Sequence, residues 1–284
     1  MFKKIYLEIS NICNVQCSFC PVVDRDKEIM EPSEFEKIIL KVRHHCEELC
    51  LHLMGEPTAH PQFEKILEIA NHYKVQINLT TNGLLIKRKS DVLMRSDCIR
   101  QINFSLQSYQ DNFPDKPIRG YLEPIFDFTK RFLTEKPEKY VNYRLWNLGD
   151  QNLDNEEILN IVDEDFDIMV NRNVDVSFRK SKKIWKNLYL HFDSRFEWPG
   201  LNEKNLGQQG KCYGLSQHIG IHADGTVVPC CLDKEAVIDL GNIKTMDLEN
   251  ILNSPLATEI RDGFKDGVLK HKLCQSCQFI RRFN

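Results

Sequence analysis

The stretch ISNICNVQCSFCP, residues 9–21, sets three cysteines, Cys13, Cys17 and Cys20, within a single short segment. It follows KIYLEI (4–9), a β-type run, so the thiols stand where a strand ends. Such crowding points to metal or iron–sulfur ligation rather than to packing. Three thiolates hold three irons of a cubane and leave the fourth open. An open metal position is a binding site, whereas a closed set serves structure or electron transfer. Zinc with a fourth ligand brought from elsewhere is the competing assignment.

Outward from this segment, strands and helices alternate. Strands are expected at 4–9, 48–53, 75–80, 101–106, 140–146 and 174–178. Helices are expected at 32–46, 61–73, 86–95, 121–134 and 154–163. Ser33 and Glu36 have the spacing of a capping box, and Pro61 suits a first helical turn. The alternation implies an α/β fold with a parallel sheet and helical crossovers, whose chemistry collects at the carboxyl ends of the strands. The cysteine segment follows the first strand, MGEP (54–57) the second and TTNG (80–83) the third.

The rhythm breaks at 179–211, a basic and then Gly-, Pro- and Asn-rich stretch expected to be a linker. The expected division is 1–178, 179–211 and 212–284. In the last part, HIGIHADGTVVPC (218–230) alternates around Asp224-Gly225, a hairpin signal, and 247–263 reads as one helix. A small C-terminal α+β domain with a hairpin and a helix is therefore expected.

The net charge of −3 gives no strong nucleic-acid signal. No run approaches the ~18 apolar residues of a membrane span, and the N-terminus lacks the features of a signal peptide, so the expected location is cytoplasmic. Eleven cysteines in a reducing compartment call for metal rather than disulfides. Cys46, Cys50 and Cys98 stand apart from the others and read as small buried hydrophobes.

Cys13-x-x-x-Cys17-x-x-Cys20, with Phe19 before the last cysteine, resembles the motif of the radical S-adenosylmethionine (SAM) superfamily. MGEP resembles that family's Gly-Gly-Glu-Pro motif with Met54 replacing the first glycine, and TTNG and FSLQS (104–108) stand where similar proteins carry third- and fourth-strand motifs. The resemblance covers about the first 180 residues and implies a partial (β/α)6 barrel. It implies that Cys13, Cys17 and Cys20 bind a 4Fe–4S cluster whose open iron chelates SAM. Phe19 would meet the adenine through its backbone, and Gly55, Glu56 and Pro57 would line the methionine ammonium. Ser105 resembles a ribose or carboxylate contact, Arg144 a partner for the SAM carboxylate, and Asn82 a supporting residue. Glu56 as a surface carboxylate, Arg144 as a structural strand residue and Asn82 as turn chemistry are the plainer alternatives. The implied reaction starts with reductive cleavage of SAM to methionine and a 5′-deoxyadenosyl radical, which takes a hydrogen atom from substrate. An electron donor such as flavodoxin or ferredoxin is implied.

Cys212, twelve residues, Gly225, four residues, Cys230 and then Cys274-x-x-Cys277 resembles the auxiliary-cluster domain of the family, the twitch or SPASM type. Those four cysteines would close a second 4Fe–4S cluster; a full seven-cysteine set is not present, which points to the shorter twitch form. Cys231 competes with Cys230, and a four-cysteine zinc site is the other assignment. An auxiliary cluster suits acceptance of the second electron in a dehydrogenation, and the expected reaction is oxidation of a small molecule. Modification or crosslinking of a peptide is the alternative, and a non-catalytic metal-binding scaffold is a third. With Cys13 so near the start, no N-terminal peptide-recognition domain is expected. His218 and His222 share a hairpin face and read as structural, although both lie near the auxiliary cysteines. Trp146, Trp185 and Trp198 read as packing, and the run Arg179, Lys180, Lys182, Lys183 and Lys186 as a solvated face or a grip for an anionic substrate group. No general base is apparent.

Overall fold

The computed structural model describes residues 1–149, 155–175 and 180–283. In chain order the elements begin with β1 (Phe2–Leu7), α1 (Pro32–Val42), β2 (Cys46–Cys50), α2 (Phe63–His72), β3 (Ile77–Thr81) and α3 (Ile86–Arg95). There follow β4 (Ile99–Ser105), α4 (Gln107–Asn112), α5 (Arg119–Glu135), β5 (Tyr140–Leu148) and α6 (Glu156–Phe166). The last are β6 (Ser181–Trp185), β7 (Leu188–Ser194), β8 (His218–Ile221), β9 (Val227–Val228), α7 (Leu248–Leu252), α8 (Pro255–Lys265) and α9 (Lys272–Gln275).

The chain forms two compact units. The first comprises Met1–Asn14, Pro21–Ile77 and Phe196–Asn284. Its strand order is β2-β1-β8-β9, with β1 parallel to both β2 and β8 and β9 returning antiparallel. The expected hairpin around Asp224-Gly225 is therefore present, and its first strand continues the β1 sheet. Ile5, Leu7 and Ile9 have no exposed surface and share one face, while Lys4 and Tyr6 between them are half-buried.

The second unit comprises Val15–Cys20 and Asn78–Arg195. Its order is β6-β7-β5-β4-β3, with β5 parallel to β4 and β7. Phe104, Phe126, Phe132, Tyr143 and Phe192 fill its core, with Phe126 and Tyr143 stacked at 5.3 Å. A polar row crosses the strands: Asn142 Nδ2 donates to Asn103 Oδ1 at 2.9 Å, and Asn103 Nδ2 donates to Asn78 Oδ1 at 2.7 Å. Asn78 and Asn103 are buried, Asn142 is half-buried, and the amides satisfy one another, as burial demands.

Five sequence expectations are corrected. The parallel strand that follows β5 in the sheet is β7, not 174–178: Val174 and Asp175 carry no strand, and 176–178 lie outside the described residues. The expected linker accordingly contains the antiparallel ribbon β6–β7. α1 has no capping box, because Pro32 occupies the first helical position and makes Glu31 the N-cap; Glu36 instead accepts a hydrogen bond from Tyr73 Oη at 2.8 Å. The helix over 247–263 is two helices, since Pro255 lacks an N–H and starts α8 afresh, capped by Ser254 Oγ accepting from Ala257 N at 3.3 Å. Pro61 lies two residues ahead of α2 rather than in its first turn. Among the described residues, no helix is long and apolar enough to cross a membrane.

Candidate cofactor site

In the first unit, the GEP turn rests on the backbone that leads into the cysteine segment. Glu56 N donates to Ile12 O at 3.0 Å. Gly55 has φ +75°, and a Cβ there would lie 2.3 Å from Ser10 O. Only glycine allows both that conformation and that approach. Glu56 is 2% exposed, so it is not a surface carboxylate. Its Oε1 accepts from Thr58 N at 3.0 Å and from Thr58 Oγ1 at 2.6 Å, capping a 3-10 turn, Pro57–Ala59. Met54, in the place of a glycine, is buried, and its N–H donates to Glu8 Oε2 at 3.2 Å. Cys13, in the same unit, is exposed.

In the second unit, Cys17 is buried and Cys20 half-buried, joined by a turn in which Cys20 N donates to Cys17 O at 3.1 Å. The segment is tied to the short helix α4. Ser18 N and Oγ donate to the two carboxylate oxygens of Asp111, each at 2.5 Å. Arg195, just beyond β7, donates to Ser18 Oγ at 3.1 Å and to Asp111 Oδ1 at 3.3 Å, and lies over the Phe19 ring at 5.2 Å. Asn112 Nδ2 contacts Cys17 Sγ at 3.1 Å. Ser105 ends β4 and is in register with Arg144 on β5; both are half-buried, and Arg144 lies over the Trp146 ring at 4.8 Å. Asn82 Oδ1 accepts from Leu84 N at 3.1 Å, the turn chemistry that its sequence context allows.

The auxiliary cysteines lie in the first unit. Cys212, Cys230, Cys274 and Cys277 line one cavity walled by Pro199, Pro229, Ile238, Phe264, Leu273 and Ile280, with buried Asp233 at its edge. Burial pushes all four thiols up, Cys212 to about 11. Thiolates in such an apolar pocket need metal charge to offset their desolvation, which is the chemistry a cluster brings. Among the described residues, no three His, Cys, Asp or Glu side chains are spaced for a single metal ion. Four thiols around a shared cavity match the ligand count of a closed 4Fe–4S cluster. Cys231 is not among the lining residues; it hydrogen-bonds Tyr6 on β1, and burial pushes its thiol up to about 12.

Other candidates are occupied structurally. His222 is fully buried, with Nε2 2.9 Å from Asp233 O. His218 and His52 pack edge-on against Tyr6, at 6.1 and 5.7 Å, and burial lowers His218 to about 4. Lys180 pairs with Asp193 at 3.0 Å, Lys182 donates to Asn171 O and Asn173 O, and Lys186 donates to Thr134 Oγ1; Arg179 lies outside the described residues. Trp146 Nε1 donates to His191 Nδ1 at 2.8 Å. Sequence reading missed Glu8, Arg25, Asp111, Asn112, Arg195 and Asp233. Their partners are mostly distant in the chain, and no local motif marks them.

The family model of the radical SAM superfamily matches residues 7–164, and that of an iron–sulfur cluster-binding domain (SPASM) matches 212–278. No curated protein matches the sequence. Among solved structures, BtrN in complex with AdoMet and 2-DOIA is 15% identical with a TM-score of 0.58, covering 98% of this chain and 93% of its own. Streptococcus suis SuiB bound to precursor peptide SuiA is 18% identical with a TM-score of 0.64, covering 99% and 72%. anSMEcpe with bound AdoMet is 17% identical with a TM-score of 0.53, covering 98% and 86%. These likenesses establish the fold: a mixed α/β chain with the partial barrel of this family and a C-terminal cluster region. The cofactors are SAM, a 4Fe–4S cluster and an auxiliary cluster, and the chain belongs to the radical SAM superfamily.

Proposed function

We propose that this enzyme dehydrogenates a small molecule, with the auxiliary cluster taking the second electron. The observation that carries this is the closed set of four thiols, Cys212, Cys230, Cys274 and Cys277, around one cavity, with Cys231 engaged by Tyr6. Four protein ligands leave no iron for substrate, which suits electron transfer rather than substrate binding at that cluster. The likeness to BtrN, which covers nearly all of both chains and whose ligand is 2-DOIA, supports a small-molecule substrate. SuiB, bound to a precursor peptide, supports the second reading, modification of a peptide.

When bound, the cofactors supply a 5′-deoxyadenosyl radical and an acceptor for one electron. The chain's part is to hold and orient them. We assign Cys13, Cys17 and Cys20 to the SAM-binding cluster, and Phe19, Gly55, Glu56, Pro57, Asn82, Ser105 and Arg144 to SAM. On this reading the barrel portion runs through β7 and the auxiliary region spans 212–284. A low-potential donor such as flavodoxin or ferredoxin provides the electron, and the enzyme is an oxidoreductase of the cytoplasm.

The test pairs Cys274→Ala with Cys277→Ala and follows turnover against candidate small molecules, 2-DOIA among them, and peptides. The double variant is expected to retain 5′-deoxyadenosine formation and to lose oxidised product. Oxidised product at the wild-type rate, from a variant that keeps its first cluster, would leave the second cluster a structural role.

A further inference from the structure

Asn112, the last residue of α4, has its whole amide committed. Its Oδ1 accepts from the backbone N–H of Gln16 at 3.0 Å. Its Nδ2 donates to Ser108 O at 2.8 Å and to Cys17 Sγ at 3.1 Å. The Gln16 N–H can only donate, and Ser108 O can only accept. The amide therefore has one orientation that satisfies all its partners, and that orientation aims an N–H at the sulfur. Cys17 is 8% exposed, so water screens this contact little. The neighbouring Asp111 and Arg195 fix the same segment through Ser18 and Phe19, without touching the sulfur in any contact described above.

We propose that Asn112 is a positioning residue that donates an N–H···S hydrogen bond to the Cys17 thiolate of the SAM-binding cluster and raises that cluster's reduction potential. The inference rests on the assignment of Cys17 to that cluster. Reduction adds one electron, and the extra negative charge spreads over the thiolate sulfurs. The positive end of an N–H dipole stabilises the reduced state more than the oxidised state, so the donor makes reduction easier. No proton moves in this step. Gln16, held through the same amide, keeps the segment from drifting away from the donor.

The test is an EPR-monitored redox titration of the reconstituted full chain, following the signal that SAM perturbs. Asn112→Leu removes the donor without adding charge. Asn112→Asp keeps the acceptor for Gln16 N and sets a carboxylate oxygen against the sulfur. At a fixed poise, the ratio of reduced to oxidised cluster should fall about tenfold in Asn112→Leu, equal to 59 mV for one electron, and further in Asn112→Asp. Asp111→Asn loosens the Ser18 tether and removes a negative charge, so it should leave the ratio unchanged or raise it. A wild-type ratio in a loaded Asn112 variant overturns the proposal. So does a fall in Asp111→Asn equal to that in Asn112→Leu, which would make the shift a consequence of a loosened loop. Loss of the first cluster from both Asn112 variants would assign the residue to holding the loop and would equally overturn the tuning role. Full iron content in Cys17→Ala is a separate outcome: it would refute the cluster assignment itself.

Discussion

Arg25 Nη2 stands 3.0 Å from both carboxylate oxygens of Glu8, a residue with no exposed surface. Glu8 also accepts from Met54 N at 3.2 Å and Ala223 N at 3.3 Å, and His222 Nδ1 lies 3.6 Å away, beyond hydrogen-bond distance but close enough to act electrostatically. One buried carboxylate thus ties the end of β1 to the GEP turn, to the return of the cysteine segment and to the β8–β9 hairpin.

Removing one partner of such a pair strands a buried charge. Arg25→Ala is expected to cost about 3–5 kcal/mol, measured by anaerobic chemical denaturation. Wild-type stability in that variant would mean that water or another cation reaches Glu8.

The same site sets an acid dependence. Burial alone would raise the Glu8 carboxyl, but His222 and Arg25 outweigh it and hold the group below its ordinary value. A lowered folded pKa gives stability that is fully present above the unfolded pKa, about 4.3, and is lost as pH falls through the folded value. Glu8→Gln should therefore be less stable than wild type near neutrality, with the gap closing at acid pH. A gap that widens on acidification would contradict this sign.

Gly55→Ala places a methyl 2.3 Å from Ser10 O at a φ of +75°. Backbone must move on one side or the other. A loss of more than about 1 kcal/mol is expected, together with weaker SAM binding, read by denaturation and by equilibrium dialysis. Unchanged binding would detach the GEP turn from the SAM site.

Cys230 and Cys231 are adjacent, yet only Cys230 lines the auxiliary cavity. Cys231→Ala should keep about eight irons per chain and Cys230→Ala about four, by iron and sulfide analysis after anaerobic reconstitution. The reverse pattern would exchange their roles.

Arg144 of β5 is in register with Ser105 of β4 and lies over Trp146. If its guanidinium holds the SAM carboxylate, Arg144→Ala should weaken SAM binding by about 1.5–3 kcal/mol, and Arg144→Lys should recover only part of it. Unchanged affinity would return Arg144 to a structural role.

The parts of this arrangement that local sequence encodes were legible: the Cys13–Cys20 spacing, the GEP turn, the Asp224-Gly225 hairpin and the four auxiliary cysteines. The β6–β7 ribbon was hidden by its chemistry. Its strand carries Lys182 and Lys183, and its turn passes through Lys186 at φ +37°, a position where glycine or asparagine would have signalled a hairpin. α4 was hidden by its length, six residues of mixed polarity. Asp111 and Asn112 reach back more than ninety residues to Ser18, Gln16 and Cys17, and no local periodicity announces a contact of that range. Glu8 reads as an ordinary polar position at the end of a strand; only the pairing of β1 with β8 brings His222 and Ala223 to it.

Cleavage of SAM by this chain is read from 5′-deoxyadenosine formation by the anaerobically reconstituted, dithionite-reduced protein supplied with SAM. Slow formation of 5′-deoxyadenosine with equimolar methionine is expected, and its loss in Cys17→Ala. A wild-type chain carrying both reduced clusters and yielding no 5′-deoxyadenosine would contradict it and leave the metal-binding scaffold as the surviving alternative.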